Sequence, residues 1–137
     1  MRAYVGRGHF AVAEFMRQAS LSRIDVLHVD IQGYEMEMLE GCEDLLERKA
    51  IDYLFLSTHT QDLHRDVLLD LQAVGYRVEV SSDFEHQTTS FDGFVFATSP
   101  DVPQLLPGFK PPERARIPVE TPADIVRGLA DNLALRR

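Results

Sequence analysis

Ile24-Asp25-Val26-Leu27-His28-Val29-Asp30-Ile31-Gln32-Gly33-Tyr34-Glu35 reads as a strand that stops at a polar, glycine-bearing corner and turns into a helix. Ile24, Val26, Leu27, Val29 and Ile31 form a near-continuous apolar run. Such a run suits a strand covered on both faces in a parallel sheet. Asp30, Gln32 and Glu35 cluster at its carboxyl end. In open α/β sheets that is the end where ligands bind.

Upstream, Val12, Phe15, Met16 and Ala19 share one face at helical spacing, which predicts a helix over 9–19. Downstream, a second helix is expected from Gly33 to Glu47, with Met38, Leu39, Cys42, Leu45 and Leu46 as its stripe. Gly41 weakens that helix by about 1 kcal/mol relative to Ala, so a close neighbour is expected there. Residues 50–57 form the next apolar strand, and Thr58 to Gln61 fits a capping box opening a third helix. Leu63, Val67, Leu71 and Val74 are its expected stripe, and Gly75 its left-handed stop. Residues 76–80 alternate, as in a strand wet on one face. Residues 91–98 form a last strand, antiparallel because the loop before it is too short for a helical crossover.

All seven prolines lie between Pro100 and Pro122. Proline is excluded from helix interiors and central strands. The chain therefore divides into a domain over 1–98, an extended proline-rich linker over 99–120 that lies against it, and a terminal helix over 121–137. Thr121 caps that helix, Pro122 takes its first position, and Ile125, Leu129 and Leu133 give it an apolar edge.

A chain of 137 residues with 45% hydrophobic residues makes about one domain with a real core. No apolar run approaches the roughly 18–20 residues that span a bilayer, and residues 1–8 lack the apolar stretch of a secretory signal. A single cysteine excludes a disulfide framework and a multi-cysteine metal site. The cytoplasm is the expected location. A net charge of −8 argues against a nucleic-acid partner.

Two β–α corners carry the candidate chemistry. Asp30, Gln32 and Glu35 follow one strand; Ser57, Thr58 and His59 follow the next. Parallel neighbours would put both sets on one rim. A carboxylate facing an imidazole there could act as general base while the other groups hold a substrate hydroxyl. Plainer readings stand beside this one. Asp30 suits a helix cap, Gly33 a tight corner, and His59 a filler of the first helical turn. A metal centre of Asp30, Glu35 and His59 lacks close histidine spacing, so no metal ligand is assigned. His28 reads as a packed histidine and Cys42 as a small hydrophobe. Asp92-Gly93 reads first as a bulge, with a carboxylate aimed at the pocket as the alternative. His9, His64 and His86 show no usable spacing.

Residues 24–35, followed by Met38-Leu39-Glu40-Gly41, resemble the signature of the FkbM family of S-adenosylmethionine-dependent methyltransferases. That signature is an apolar strand ending in Asp-x-Glu-Gly-x-Glu, then Leu-x-Gly. Gln32 stands where the family has Glu. The strand ending at Thr58-His59 resembles the family's next one, and the likeness covers about residues 10–98. It implies an α/β fold, a Rossmann-like half of the methyltransferase sheet. That half has about four strands, three parallel and one antiparallel, with flanking helices and without the first strands of the full fold.

The resemblance further implies methyl transfer from S-adenosylmethionine to a hydroxyl of a sugar or polyketide-like acceptor. Asp30 and His59 would be catalytic; Gln32, Gly33, Glu35 and Thr58 would bind the acceptor. The family's glycine-rich cofactor turn has no counterpart, since Gly6-Arg7-Gly8 follows no apolar strand. Cofactor-binding residues are thus unassigned, and the chain looks like a carboxyl-terminal portion, inactive alone. Its central strand would then be a sheet edge, a template for pairing. Residues 1–19, the terminal helix, a second copy or a separate amino-terminal half would cover it. The competing function is a non-catalytic assembly domain using that edge and the terminal helix. A third is a metal-assisted hydrolase on the Asp30/His59 rim.

Overall fold

The computed structural model of the chain describes residues 12–83, 91–111, 114 and 117–134. Along them run α1 (Val12–Gln18), β1 (Ile24–Val29), α2 (Glu35–Glu40), α3 (Glu43–Glu47), β2 (Ile51–Thr58), α4 (Gln61–Ala73), β3 (Arg77–Ser82), β4 (Gly93–Thr98) and α5 (Pro122–Ala134). The strands form one sheet in the order β1-β2-β4-β3. β1 and β2 pair in parallel, with Val26 opposite Tyr53 and Val29 opposite Leu56. β4 pairs antiparallel with both β2 and β3.

The architecture is α/β, a mixed four-stranded sheet with flanking helices. Where three parallel strands were expected, the sheet has one parallel pair. The reason is the return of β4. It runs back beside β3 and fills the free side of β2, so β3 bonds only to β4.

The core is built from alternate residues of β2 and β4 and one stripe of α4. Leu54, Leu56, Val67, Leu71, Val95 and Ala97 are all inaccessible to solvent. Burying such side chains contributes about 1.5–3 kcal/mol each. On the other face of β2, Tyr53 and Phe55 are half-buried, and Phe55 stacks on Phe96 with ring centroids 4.3 Å apart.

β1 departs from the cover on both faces that its apolar run suggests, and is the sheet edge that the family resemblance implies. Only Val29 is buried; Val26 is 56% exposed and His28 is exposed rather than packed. β1 is the sheet edge, and among the described residues no strand pairs with its outer side. Val12 and Phe15 of α1 flank Val26 and Leu27 in a shallow apolar groove. Residues 9–11 of the expected first helix, and 1–8 before them, lie outside the described residues.

The helix expected over 33–47 is two helices, broken at Gly41 and Cys42. No neighbouring element crowds Gly41. A Cβ there would meet only the carbonyls of Glu37 and Met38, 3.4 Å away. The weak helix propensity of glycine accounts for the break. Cys42 is buried, and burial pushes its thiol up to about 11, consistent with a small hydrophobe. Thr60 caps α4 in place of Thr58, its Oγ1 accepting from the Leu63 amide at 3.1 Å. Gly75 follows α4 at φ +79°, as its position predicts.

The register irregularity lies in β3, between Val78 and Val80, and not at Asp92-Gly93. It leaves Glu79 out of the pairing. Its carboxylate accepts from the Leu105 and Leu106 amides at 2.9 and 2.5 Å. Arg77 donates to the Ser99 carbonyl at 3.1 Å and also to that of Val102. These bonds hold the start of the proline-rich segment against the sheet. Farther on, Thr121 Oγ1 accepts from the Asp124 amide at 3.3 Å, capping α5.

Candidate functional site

The corner after β1 turns through two left-handed residues, Gln32 at φ +58° and Gly33 at φ +99°. Glycine reaches that conformation without the Cβ clash other residues meet. Asp30 sits just before the turn, exposed, and accepts from Gln32 Nε2 at 3.1 Å. Asp30 does not cap the following helix: Tyr34 is the N-cap of α2, without a side-chain bond. Glu35 closes the corner instead. Its Oε1 accepts from the Ile31 amide at 3.1 Å, and the side chain is fully buried.

Parallel pairing of β1 with β2 places the two carboxyl ends side by side. His59 follows β2, and its Nε2 lies 3.2 Å from Asp30 Oδ1 and 3.2 Å from Glu35 Oε1. On its other side, His59 Nδ1 is 2.9 Å from Asp92 Oδ1. Asp92 arrives there because Gly93 pairs with Thr58 across β2 and β4. An ionised carboxylate only accepts, so Nδ1 carries the hydrogen and donates to Asp92.

Neither approach at Nε2 has hydrogen-bond direction. Among the described residues, Nε2 and Glu35 Oε2 are both buried without a hydrogen-bond partner. Burial pulls the His59 pKa down. The hydrogen bond to Asp92 and the charges of Glu35, Asp92 and Asp30 outweigh it, and the pKa is raised above the ordinary histidine value.

The structure thus brings together Asp30, Glu35 and His59, with Gln32 beside Asp30. Gly33 shapes the corner. Thr58 is not on the rim: it is fully buried, with Oγ1 2.8 Å from His64 Nδ1. The other ring nitrogen of His64 lies 2.9 Å from Ser81 Oγ. Burial lowers the His64 pKa, against a smaller opposing effect of the Asp83 charge. His64 shares the buried face of α4 with Val67 and Leu71. That helical spacing was readable, although nothing in it pointed to chemistry. For Asp92 the structure supports the second of the two sequence readings, a carboxylate aimed at the pocket, and the β2–β4 register is what brings it to His59.

The family model for the methyltransferase FkbM domain matches residues 7–78, just over half of the 137-residue chain. The chain belongs to the FkbM methyltransferase family. No curated protein and no solved structure matches it. The matched FkbM region contains both β–α corners and ends in β3.

Whether the residues at hand fit the sulfonium cofactor implied by an FkbM methyltransferase can be judged at the rim. Among the described residues, no glycine-rich turn follows a strand; the corner after β1 offers Gly33 alone. A run of converging backbone amides, which would take an anionic part of the cofactor such as its carboxylate, is therefore not found among them. The described FkbM residues supply a polar rim and no cofactor cradle. No helix among them is long and apolar enough to cross a membrane.

Proposed function

We propose that this FkbM-family chain forms the acceptor side of a methyl-transfer site, with a hydroxyl of a sugar or polyketide-like molecule as the acceptor. The observation that carries the reading is the convergence of Asp30, Glu35 and His59 at the carboxyl ends of two adjacent parallel strands. S-adenosylmethionine, the donor the family implies, supplies the sulfonium methyl. The work of this chain is on the oxygen that receives it.

Asp30 reaches solvent and accepts a hydrogen bond from the entering hydroxyl. His59, held from behind by Asp92, presents Nε2 as the alternative acceptor for the same hydrogen. Between them they bind the hydroxyl and drain its proton into the cluster. Gln32 and Glu35 keep the geometry, one by its bond to Asp30 and the other by closing the corner. Alignment of the oxygen contributes more to such a displacement than acid–base strength does.

Isothermal titration of the full chain with S-adenosylmethionine tests the donor. Only weak heat is expected from a chain whose described residues supply no cofactor cradle, and none at millimolar ligand would remove methyl transfer by this chain alone. A second reading is favoured by the bare edge of β1, where Val26 is 56% exposed. An unpaired apolar edge pairs readily with another strand. On this reading the chain is an assembly domain, joined to a partner through that edge and α5. Sedimentation of the chain as a monomer at high concentration would count against it.

A further inference from the structure

We propose that Asp30, Glu35 and His59 bind a divalent first-row transition-metal ion, with Asp92 holding the imidazole in place. One ligand atom from each of the three residues lies within 4.8 Å of the other two. Three further observations point to a cation.

The first is the orientation of His59. Its Nδ1 hydrogen goes to Asp92, which leaves the Nε2 lone pair facing inward. Metal-ligating histidines are held in this way, the second nitrogen donating to a carboxylate. Two carboxylate oxygens lie 3.2 Å from that nitrogen, off the line of its lone pair, and among the described residues it makes no hydrogen bond. Three acceptor atoms held within 4.8 Å of one another favour a cation between them. Ligands about 2.0–2.2 Å from one ion stand about 3.0–3.5 Å apart, which matches the two nitrogen–oxygen distances of 3.2 Å.

The second is Glu35. The residue is fully buried, and its Oε2 has no hydrogen-bond partner. A buried carboxylate oxygen without a partner costs several kcal/mol in a protein interior (order of magnitude). The third is charge. Asp30, Glu35 and Asp92 surround one imidazole. Even a protonated ring leaves the group negative, whereas a divalent ion brings it closer to neutral.

The donor set selects the ion. Carboxylates suit Mg²⁺, Ca²⁺ and Mn²⁺, while imidazole favours later first-row ions over Mg²⁺ and Ca²⁺. Mn²⁺ and Zn²⁺ satisfy both. The half-open Asp30 side leaves room for one more oxygen ligand. There an ion would hold the acceptor oxygen and favour its deprotonated form, the proton leaving to solvent water. That role rests on the methyl-transfer reading; the binding of the ion does not.

The test is electron paramagnetic resonance of Mn²⁺ titrated into the full chain after removal of metals with a chelator. Loss of the free-ion signal with one tight site per chain is expected. Asp92→Asn should weaken that site about 10–100-fold, and Asp30→Asn and His59→Ala by more. Asp30 and Asp92 are partly exposed, so their variants should fold, which circular dichroism verifies. A persistent free-ion signal with excess folded protein would overturn the proposal. So would an affinity that Asp30→Asn and Asp92→Asn leave unchanged. Titration with S-adenosylmethionine separates the two readings: Mn²⁺ binding without cofactor binding keeps the ion site and discards methyl transfer, and the reverse result does the opposite.

Discussion

Two buried glutamates occupy opposite ends of one sheet, and their surroundings differ in kind. Glu79 lies near the end of β4, where Thr98 Oγ1 donates to it at 2.9 Å and the Leu105 and Leu106 amides donate at 2.9 and 2.5 Å. Glu35 lies at the start of α2 and receives one amide, from Ile31, with its second oxygen unpartnered. Its nearest charged neighbours include another carboxylate. A buried charge that is fully hydrogen-bonded holds structure together, and one that is left short raises the free energy of the fold. Glu79 anchors a segment. Glu35 is a group still lacking a partner.

The largest test of this contrast is Glu79→Ala. It strands two backbone amides and the Thr98 hydroxyl, and should cost about 3 kcal/mol of stability. Urea unfolding followed by circular dichroism reads the loss. A cost below about 1 kcal/mol would mean that the 99–106 segment gains little from its anchor.

Next in size is Gly33→Ala. A Cβ there meets nothing within 4 Å, yet φ is +99°. The cost is therefore purely one of backbone conformation, about 1–2 kcal/mol. Gly128 inside α5 also has open space around it and no positive φ. Gly128→Ala should stabilise by about 0.5–1 kcal/mol in the same assay. Equal effects at both glycines would show that the rim corner is not held in its left-handed turn.

Glu35→Gln should have the opposite sign to Glu79→Ala. With chelator present, the amide oxygen can still accept from Ile31, while one uncompensated charge disappears. Stability should hold or rise by up to about 1 kcal/mol. A clear loss would place Glu35 with Glu79, as a structural carboxylate.

The sequence carried the rim only where a local pattern carries spatial information. A strand ending in Asp30, a glycine corner and a second strand ending near His59 predict two β–α corners. Parallel pairing then follows from a helix between them, and with it the approach of His59 to Asp30. Asp92 stood only as the alternative to a bulge because it enters through the insertion of β4 between β2 and β3, a non-local event. The cap of α4 slipped by two residues because Thr58 and Thr60 are both plausible N-caps. Burial decided between them: Thr58 turns into the core as the last residue of β2. The edge position of β1 was expected only from the family resemblance, which leaves out the first strands. The apolar run alone reads as a strand covered on both faces, since it looks the same in a central and in an edge strand. Only the sheet order, with β2 on one side of β1 and no described strand on the other, tells them apart.

The contrast between satisfied and unsatisfied polar groups extends to two histidines five residues apart. His59 is ringed by carboxylates; His64 bridges Thr58 and Ser81 in the interior. Burial lowers the His64 pKa, so the folded state takes up this proton less readily than the unfolded chain. The stabilising effect of keeping His64 neutral is complete above the unfolded value of about 6.5. It is lost progressively as pH falls from there through the lower folded value. The wild-type chain should therefore lose more stability between pH 7.5 and pH 5 than His64→Gln, which retains a donor and an acceptor but does not titrate in that range. Taking the difference between the two proteins removes the response of His59, which is common to both. Parallel pH profiles would mean that His64 is as easily protonated in the fold as in the open chain, and that the Thr58–His64–Ser81 chain tolerates charge.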